Sequence, residues 1–426
     1  MTASRTADIR RLAKSDERAA KTLLASLLSE LFAIEPQNIA INHDQYSLNS
    51  LNGFFDAGGQ AFFFKFHQEE GEEAMSGEYY RADILAKAGL PVDQPVMMSV
   101  LPGEQILVYG RRSDPRFSDV LRGLDLIPDQ EAEAVAIAAE RALSDKLLAV
   151  YLRTLHPITP KEAADEPIHR LFYERLIDPP AGTIPGGRCR SFYVDQRFKL
   201  PGVELDWQTF SNAHIVVNGV RYRQTIAQLF AQAHQRLRPD RMADAGGVVA
   251  HGDAHNANVW YSPNGKAANL SYFDPAFAGE HVPTLLAEVK TTFHNIFAHP
   301  FWLYDPAEAA ACYSGRARYE AGTLFLETDW RLSRVRQDLL AVKAEYLWRP
   351  LLAELKSQKL LPADWRSVVR SALFLCPTLV MNLRAGAATH NPLSSLIAFA
   401  IAIMVGSEPE NGDDIVSRFL VAIDPG

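Results

Sequence analysis

Cysteine is scarce. Only Cys189, Cys312 and Cys376 occur in 426 residues, far apart and without a CxxC pair. That excludes a disulfide framework and a cysteine-built zinc site, and such usage suits a reducing cytoplasm. Long apolar runs are also missing. The most apolar stretch, LIAFAIAIMV at 396–405, is about half of the roughly 20 residues a bilayer-spanning helix needs, so it reads as a buried helix and no membrane partner is expected. The opening MTASRTADIRRLAKSDERAAKTLLASLL has neither the apolar segment nor the small-residue cleavage site of a secretory signal and reads as an amphipathic helix. Basic clusters are absent too. A net charge of −8 with no long lysine or arginine run argues against a nucleic-acid partner, whose affinity comes largely from phosphate neutralisation. A cationic or neutral small partner suits that charge better.

The chain does have core-forming material in quantity: 47% of its residues are hydrophobic, ample for two or three domains. YSLNSLNGFFDAGGQAFFFKFHQ and PVMMSVLPGEQILVYG are aromatic and β-branched runs broken by NG, GG and PG, which read as antiparallel hairpins. Between them a helix is expected from about Glu72 to Lys87, closed by Gly89 and Pro91 in the usual stop order. Beyond Gly110 the period becomes helical, as in DQEAEAVAIAAERALSDKLLAVYLRTL and RQTIAQLFAQAHQRL, and helices are expected to dominate again after about 305. The expected class is α+β, with a small antiparallel sheet followed by a larger, mainly helical part. A less regular stretch at 186–223, GGRCRSFYVDQRFKLPGVELDWQTFSNAHIVVNGVRYR, reads as an insert on the rim of a site. Its Tyr193, Phe198 and Trp207 suit packing beneath a long loop or lining a substrate pocket.

The polar chemistry gathers in VVAHGDAHNANVWY at 248–261, between strand-like runs. Asp253 and Asn258 lie five residues apart on this loop, and Asp274 follows in SYFDP. A hairpin between ANVWYS and LSYFDP would return Asp274 beside Asn258. Such oxygen ligands suit magnesium, which commonly takes one or two carboxylates plus substrate phosphates. Asp253 is then left to receive or orient a hydroxyl proton. Lys65 in AFFFKFH is a lone charge among phenylalanines and needs an anionic partner if it points inward. Glu78 on the following helix is a candidate to hold it, and the turn-prone SLNSLNG, with Ser50, Asn52 and Gly53, could lay backbone N–H groups over phosphates.

These residues give the chain a resemblance to the aminoglycoside phosphotransferase and choline kinase-like family, which shares the two-lobed protein-kinase-like fold. HGDAHNAN, the downstream FDP, the lysine of FFFKF and Glu78 upstream of GLPV carry it, over about 40–110 and 247–290. The resemblance implies an N-lobe at 1–110 and a helical C-lobe at 111–426, with a catalytic loop at 248–261 and a metal-binding segment at 271–279. It implies Asp253 as the catalytic aspartate, Asn258 and Asp274 as Mg²⁺ ligands, and Lys65 on the ATP phosphates, oriented by Glu78. Val108, Tyr109 and Gly110 would form the hinge facing adenine. The reaction implied is transfer of the γ-phosphoryl group of ATP to a hydroxyl of a small molecule: an aminoglycoside, amino alcohol, sugar or amino acid.

There are departures from the family's pattern. SLNSLNG holds one glycine where related chains often hold more, and Leu285 stands where the family has an aspartate after the metal-binding strand.

Blander readings stand beside these. Asp253 and its neighbours would merely cap a structural turn, Lys65 would guard a sheet edge, and Glu78 would belong to a solvated acidic face. His251 braces the loop backbone rather than binding metal, His255 has no assigned step, and the histidines of TTFHNIFAHP and RTLHPITP are surface or satisfied core residues. Glu204, Asp206 and Glu280 are acidic candidates for a cationic substrate, each also suited to solvated surface. A two-metal phosphoesterase would need further metal blocks that are missing here. The alternative from another class is a kinase-fold regulatory module that binds nucleotide, or a transferase of a group other than phosphate.

Overall fold

The computed structural model of the protein describes residues 4–42, 50–67, 81–298 and 300–426. The opening segment forms two helices rather than one, α1 (Arg5–Ser15) and α2 (Glu17–Phe32). Asp16 makes the break. Its backbone N–H closes α1 on Leu12, while its side chain accepts the N–H of Ala19 and caps α2, which satisfies end groups that a helix otherwise leaves open.

Five strands follow: β1 (Gln37–Ile41), β2 (Ser50–Ala57), β3 (Gln60–His67), β4 (Met97–Ser99) and β5 (Ile106–Gly110). They form one antiparallel sheet in the order β1-β2-β3-β5-β4. Gly58 and Gly59, both at positive φ, turn β2 into β3. In β3 the two-residue period sorts the phenylalanines: Phe62, Phe64 and Phe66 are buried with Ile9, Leu24 and Leu28 from the two helices. Lys65 therefore stands on the opposite face. Of the helix expected from Glu72 to Lys87, the end is described as α3 (Ala82–Lys87), and residues 72–80, with Glu78, lie outside the described residues.

The chain then enters a larger part built on α4 (Phe117–Leu126) and α5 (Gln130–Thr154). The expected strands around the polar loop are present. Gly247–Ala250 pairs with Gly279–Pro283, while Val259–Asn264 and Ala267–Tyr272 form a hairpin in register Val259 to Tyr272. LIAFAIAIMV lies inside a helix, Pro392–Gly406, almost wholly buried. No helix among the described residues is long and apolar enough to cross a membrane.

Two expectations need correction. The 186–223 stretch is regular: a helix, a hairpin (Arg197–Leu200 with Val203–Asp206), a second helix and two further strands. Tyr193, Phe198 and Trp207 stack against one another there, Phe198 and Phe210 at 4.1 Å between ring centres. This is core packing. The region after 305 is also less uniformly helical than its period suggests, since Gly315–Glu320 and Thr323–Thr328 form a hairpin whose second strand pairs in parallel with His214–Val217. The charges alternating along GRARYE are those of a half-exposed strand, and the inward Ala317, Leu324 and Leu326 are buried.

Candidate active site

The strand Gly247–Ala250 delivers the polar loop, and Gly252 turns it. Gly252 has φ +77°, and a Cβ there would lie 2.6 Å from the Phe277 carbonyl oxygen, so both backbone strain and close approach demand glycine. His251 is buried and braces two segments. Its Nε2 meets the Phe273 carbonyl at 2.9 Å and its Nδ1 accepts the Asp253 N–H at 3.3 Å. Burial lowers its pKa, which suits a neutral ring that donates at one nitrogen and accepts at the other. The bracing expectation for His251 is met.

The hairpin brings the FDP segment back as expected. The Phe273 N–H donates to the Asn258 carbonyl at 3.0 Å, and the Asn258 carboxamide nitrogen donates to the Asp253 carbonyl at 2.9 Å. Asp274 adopts a left-handed backbone, φ 56°, a conformation that aspartate tolerates better than most residues. Its carboxylate forms an ion pair with Lys65 of β3. The lone cation among phenylalanines has thus found its anion in the other lobe. Both Asp253 and Asp274 act electrostatically on His251 and His255, placing the two carboxylates in one neighbourhood.

The smaller lobe departs from expectation in detail. Asn52 and Gly53 are not in a turn but inside β2, opposite Lys65 and Phe64. Gly53 is needed because a Cβ would lie 2.0 Å from the Ala40 carbonyl, a close approach where β1 and β2 slip register. Asn52 is buried and accepts from the Asn42 carboxamide at 3.0 Å. Ser50 begins the strand, and residues 47–49 of SLNSLNG lie outside the described residues. Val108 is buried in β5, paired with Phe64 on one side and Met97 on the other, its carbonyl accepting from Val96 at 2.8 Å. Exposed Gly110 ends the strand where the chain crosses to the second lobe, with half-buried Tyr109 before it. Just beyond, Arg112 pairs with Asp93 at 2.7 Å and Asp114 at 2.9 Å and donates to Ser262 and Ser271 of the hairpin, fastening the crossing to the loop's own support.

Lys290 and Asn295 near the loop escaped the sequence reading, while His294, read as a surface or satisfied core residue, is buried beside them. Lys290, 4% exposed in the short helix Val289–Thr292, holds its ammonium 3.5 Å from Asp253 Oδ1. His294 stacks its ring 5.3 Å from His255 and meets buried Cys376 at 3.3 Å. Burial pushes His255 down to about 4 and His294 well below its ordinary value, so both are neutral at pH 7. Asn295 accepts the Asn256 N–H at 2.7 Å through its carboxamide oxygen. Its own carbonyl takes Arg336 Nη1 at 2.6 Å, and Arg336 pairs with fully buried Asp125 at 2.7 Å. The loop is therefore tied to the helical core by a buried ion pair. A weaker signal for Lys290 was present, since LLAEVKTTFHNIF carries its one lysine among leucine, valine, phenylalanine and isoleucine as well as polar residues.

The acidic residues offered for a cationic substrate do not gather here. Glu204 pairs with Arg197 on the surface, Asp206 caps a helix by accepting from Thr209, and Glu280 is exposed. Leu285, in place of the family's aspartate, is wholly buried in the main apolar core. His156, from RTLHPITP, meets His281 at 2.9 Å.

No family model matches the chain, and no curated protein does. The solved structures similar to it include small-molecule phosphotransferases. A thermostable mutant of aminoglycoside phosphotransferase APH(4)-Ia shares 12% identity over 89% of this chain and 98% of its own, with a TM-score of 0.45. Spectinomycin phosphotransferase APH(9)-Ia, solved with ADP and spectinomycin, shares 12% over 90% and 98%, at 0.36. A putative fructosamine-3-kinase from Thermobifida fusca shares 15% over 89% and 98%, at 0.35. They are the kind of protein the sequence resembles. At such identity and TM-score they carry no argument about chemistry, which rests on the side chains above.

Proposed function

We propose that the protein is an ATP- and Mg²⁺-dependent phosphotransferase that moves the γ-phosphoryl group to a hydroxyl of a small molecule. The observation that carries this reading is the ion pair of Lys65 with Asp274 beside the loop of Asp253 and Asn258: an ammonium from the antiparallel sheet meets oxygen groups of the polar loop and its hairpin. The donor set suits Mg²⁺. Asn258 commits its carboxamide nitrogen to the Asp253 carbonyl, leaving the oxygen with no hydrogen bond among the described residues, and Asp274 supplies a carboxylate.

Asn258 and Asp274 would hold the ion, which when bound would neutralise phosphate charge. Lys65 would share its charge between Asp274 and the phosphates of ATP. Asp253, held by the Asn258 and His251 contacts, would take the proton of the acceptor hydroxyl as the new oxygen–phosphorus bond forms and the bond to ADP breaks. The protein's share is position and charge, because a loose phosphoryl-transfer transition state asks little covalent chemistry of it.

The test is ADP release with Mg²⁺ across a panel of alcohols, comparing the native chain with Asp253→Asn. Turnover is expected to fall about 100-fold or more in the variant. Equal turnover in the two proteins would overturn the reading.

A further inference from the structure

Lys290 has an ammonium with three N–H donors, is 4% exposed, and donates no hydrogen bond among the described residues. Within ionic reach it has Asp253 Oδ1 at 3.5 Å and His255 Nε2 lies 3.9 Å from the same oxygen. The lysine contact is longer than a hydrogen bond, and Asp253 Oδ1 is itself buried without a hydrogen-bond partner. The ammonium, at the end of a side chain only 5% exposed, stands at the atom where the acceptor hydroxyl must arrive.

The surroundings point the same way. Lys290 and Arg175 act electrostatically on both buried Cys376 and buried His294, and Asp253 acts on Cys376. Lys290 and Arg175 thus both act where Asp253 lies, with the Asp274 carboxylate acting on His255 as well. The acids Glu204 and Asp206 are engaged elsewhere on the surface. A polycationic acceptor would bring like charge against Lys290 in a poorly screened place.

We infer that the acceptor is a hydroxyl compound bearing an acidic group, and that Lys290 binds that group beside Asp253. This rests on the phosphotransfer reading above. An anionic oxygen between the ammonium and the hydroxyl would give Lys290 the charge-assisted hydrogen bonds it lacks. This differs from the cationic or neutral partner that the net charge suggests.

The experiment offers two matched sets with ATP and Mg²⁺: gluconate, glucose and glucosamine, then glycerate, glycerol and serinol. Phosphorylated product is read by mass. The acidic member of a set is expected to be preferred in kcat/KM by roughly 10- to 100-fold, the range of one charge-assisted hydrogen bond. Lys290→Gln is expected to raise KM for the acidic member and erase that preference, while Lys290→Arg keeps part of it. Preference for the cationic members, an equal loss across each set in Lys290→Gln, or transfer to no member while ATP is still hydrolysed to water would overturn the inference. Loss of all Asp253-dependent ATP turnover is a different failure, which removes the reaction itself.

Discussion

At the scale of single residues, the polar loop was readable because its chemistry contradicts its surroundings. Lys65 among phenylalanines and Asp253 between apolar strands are expensive unless partnered, and the structure pairs Lys65 with Asp274 and sets Asp253 3.5 Å from the Lys290 ammonium. Lys290 sent the same signal more faintly, since a single lysine in a helical run is also what a solvated helix face looks like. Gly252 was legible as a conformational residue, and its role is testable. Gly252→Ala places a Cβ 2.6 Å from the Phe277 oxygen at φ +77°. A loss of about 1–3 kcal/mol of stability is expected, with phosphotransfer falling further than stability because Asp253 follows directly. Thermal unfolding and turnover check this, and an unchanged turnover would show that the loop tolerates the shift.

At the scale of elements, hairpins announced by Gly-Gly and by two-residue alternation were placed correctly, because local turn chemistry decides them. Asn52-Gly53 misled, since the same dipeptide serves inside β2, where Gly53 answers a close approach by Ala40 from another strand. No local pattern contains that neighbour. Gly315–Glu320 and Thr323–Thr328 were missed for a related reason, because their second strand is completed by His214–Val217 from a distant stretch.

Buried charge networks hold the helices beneath the site. Lys343 lies 3.0 Å from Glu140 and 3.2 Å from Glu288, which also accepts from Tyr151 and Thr291. Burial alone would lower the Lys343 pKa, but the two carboxylates outweigh it and raise it. Lys343→Met leaves both acids buried without their cation and is expected to cost about 3–5 kcal/mol, measured by denaturant unfolding. A loss below about 1 kcal/mol would mean that the network relaxes. Asn295→Ala, which removes the acceptor of the Asn256 N–H, is expected to lower kcat about tenfold, with ATP affinity little changed.

At the scale of the whole molecule, the two-lobed α+β plan was legible from the change of period at Gly110, whereas the contacts between the lobes were not. They are made by Arg112, by Arg81 donating to the Ala278 carbonyl at 2.9 Å, and by Lys65 with Asp274. The larger lobe also sets a pH dependence. Burial lowers His169 and His390 from 6.5 to about 4, so folding favours their neutral forms. Their contribution is fully present above pH 6.5 and lost as pH falls to about 4, by about 3 kcal/mol for each. Unfolding free energies measured over that window should decline on acidification, and His169→Gln should flatten the slope. A slope unchanged in that variant would contradict the assignment to His169.

The claim on which the account turns is that residues of both lobes form one phosphoryl-transfer site with divided labour. Titration of Mg²⁺-ATP into the native chain, Lys65→Ala, Asp274→Asn and Asp253→Asn, with turnover measured on the same samples, tests it most directly. The account predicts that the Lys65 and Asp274 variants lose nucleotide affinity about tenfold or more, whereas Asp253→Asn binds as the native chain does and fails to turn over. Native-like affinity in the first two variants, or native turnover in the third, would contradict it.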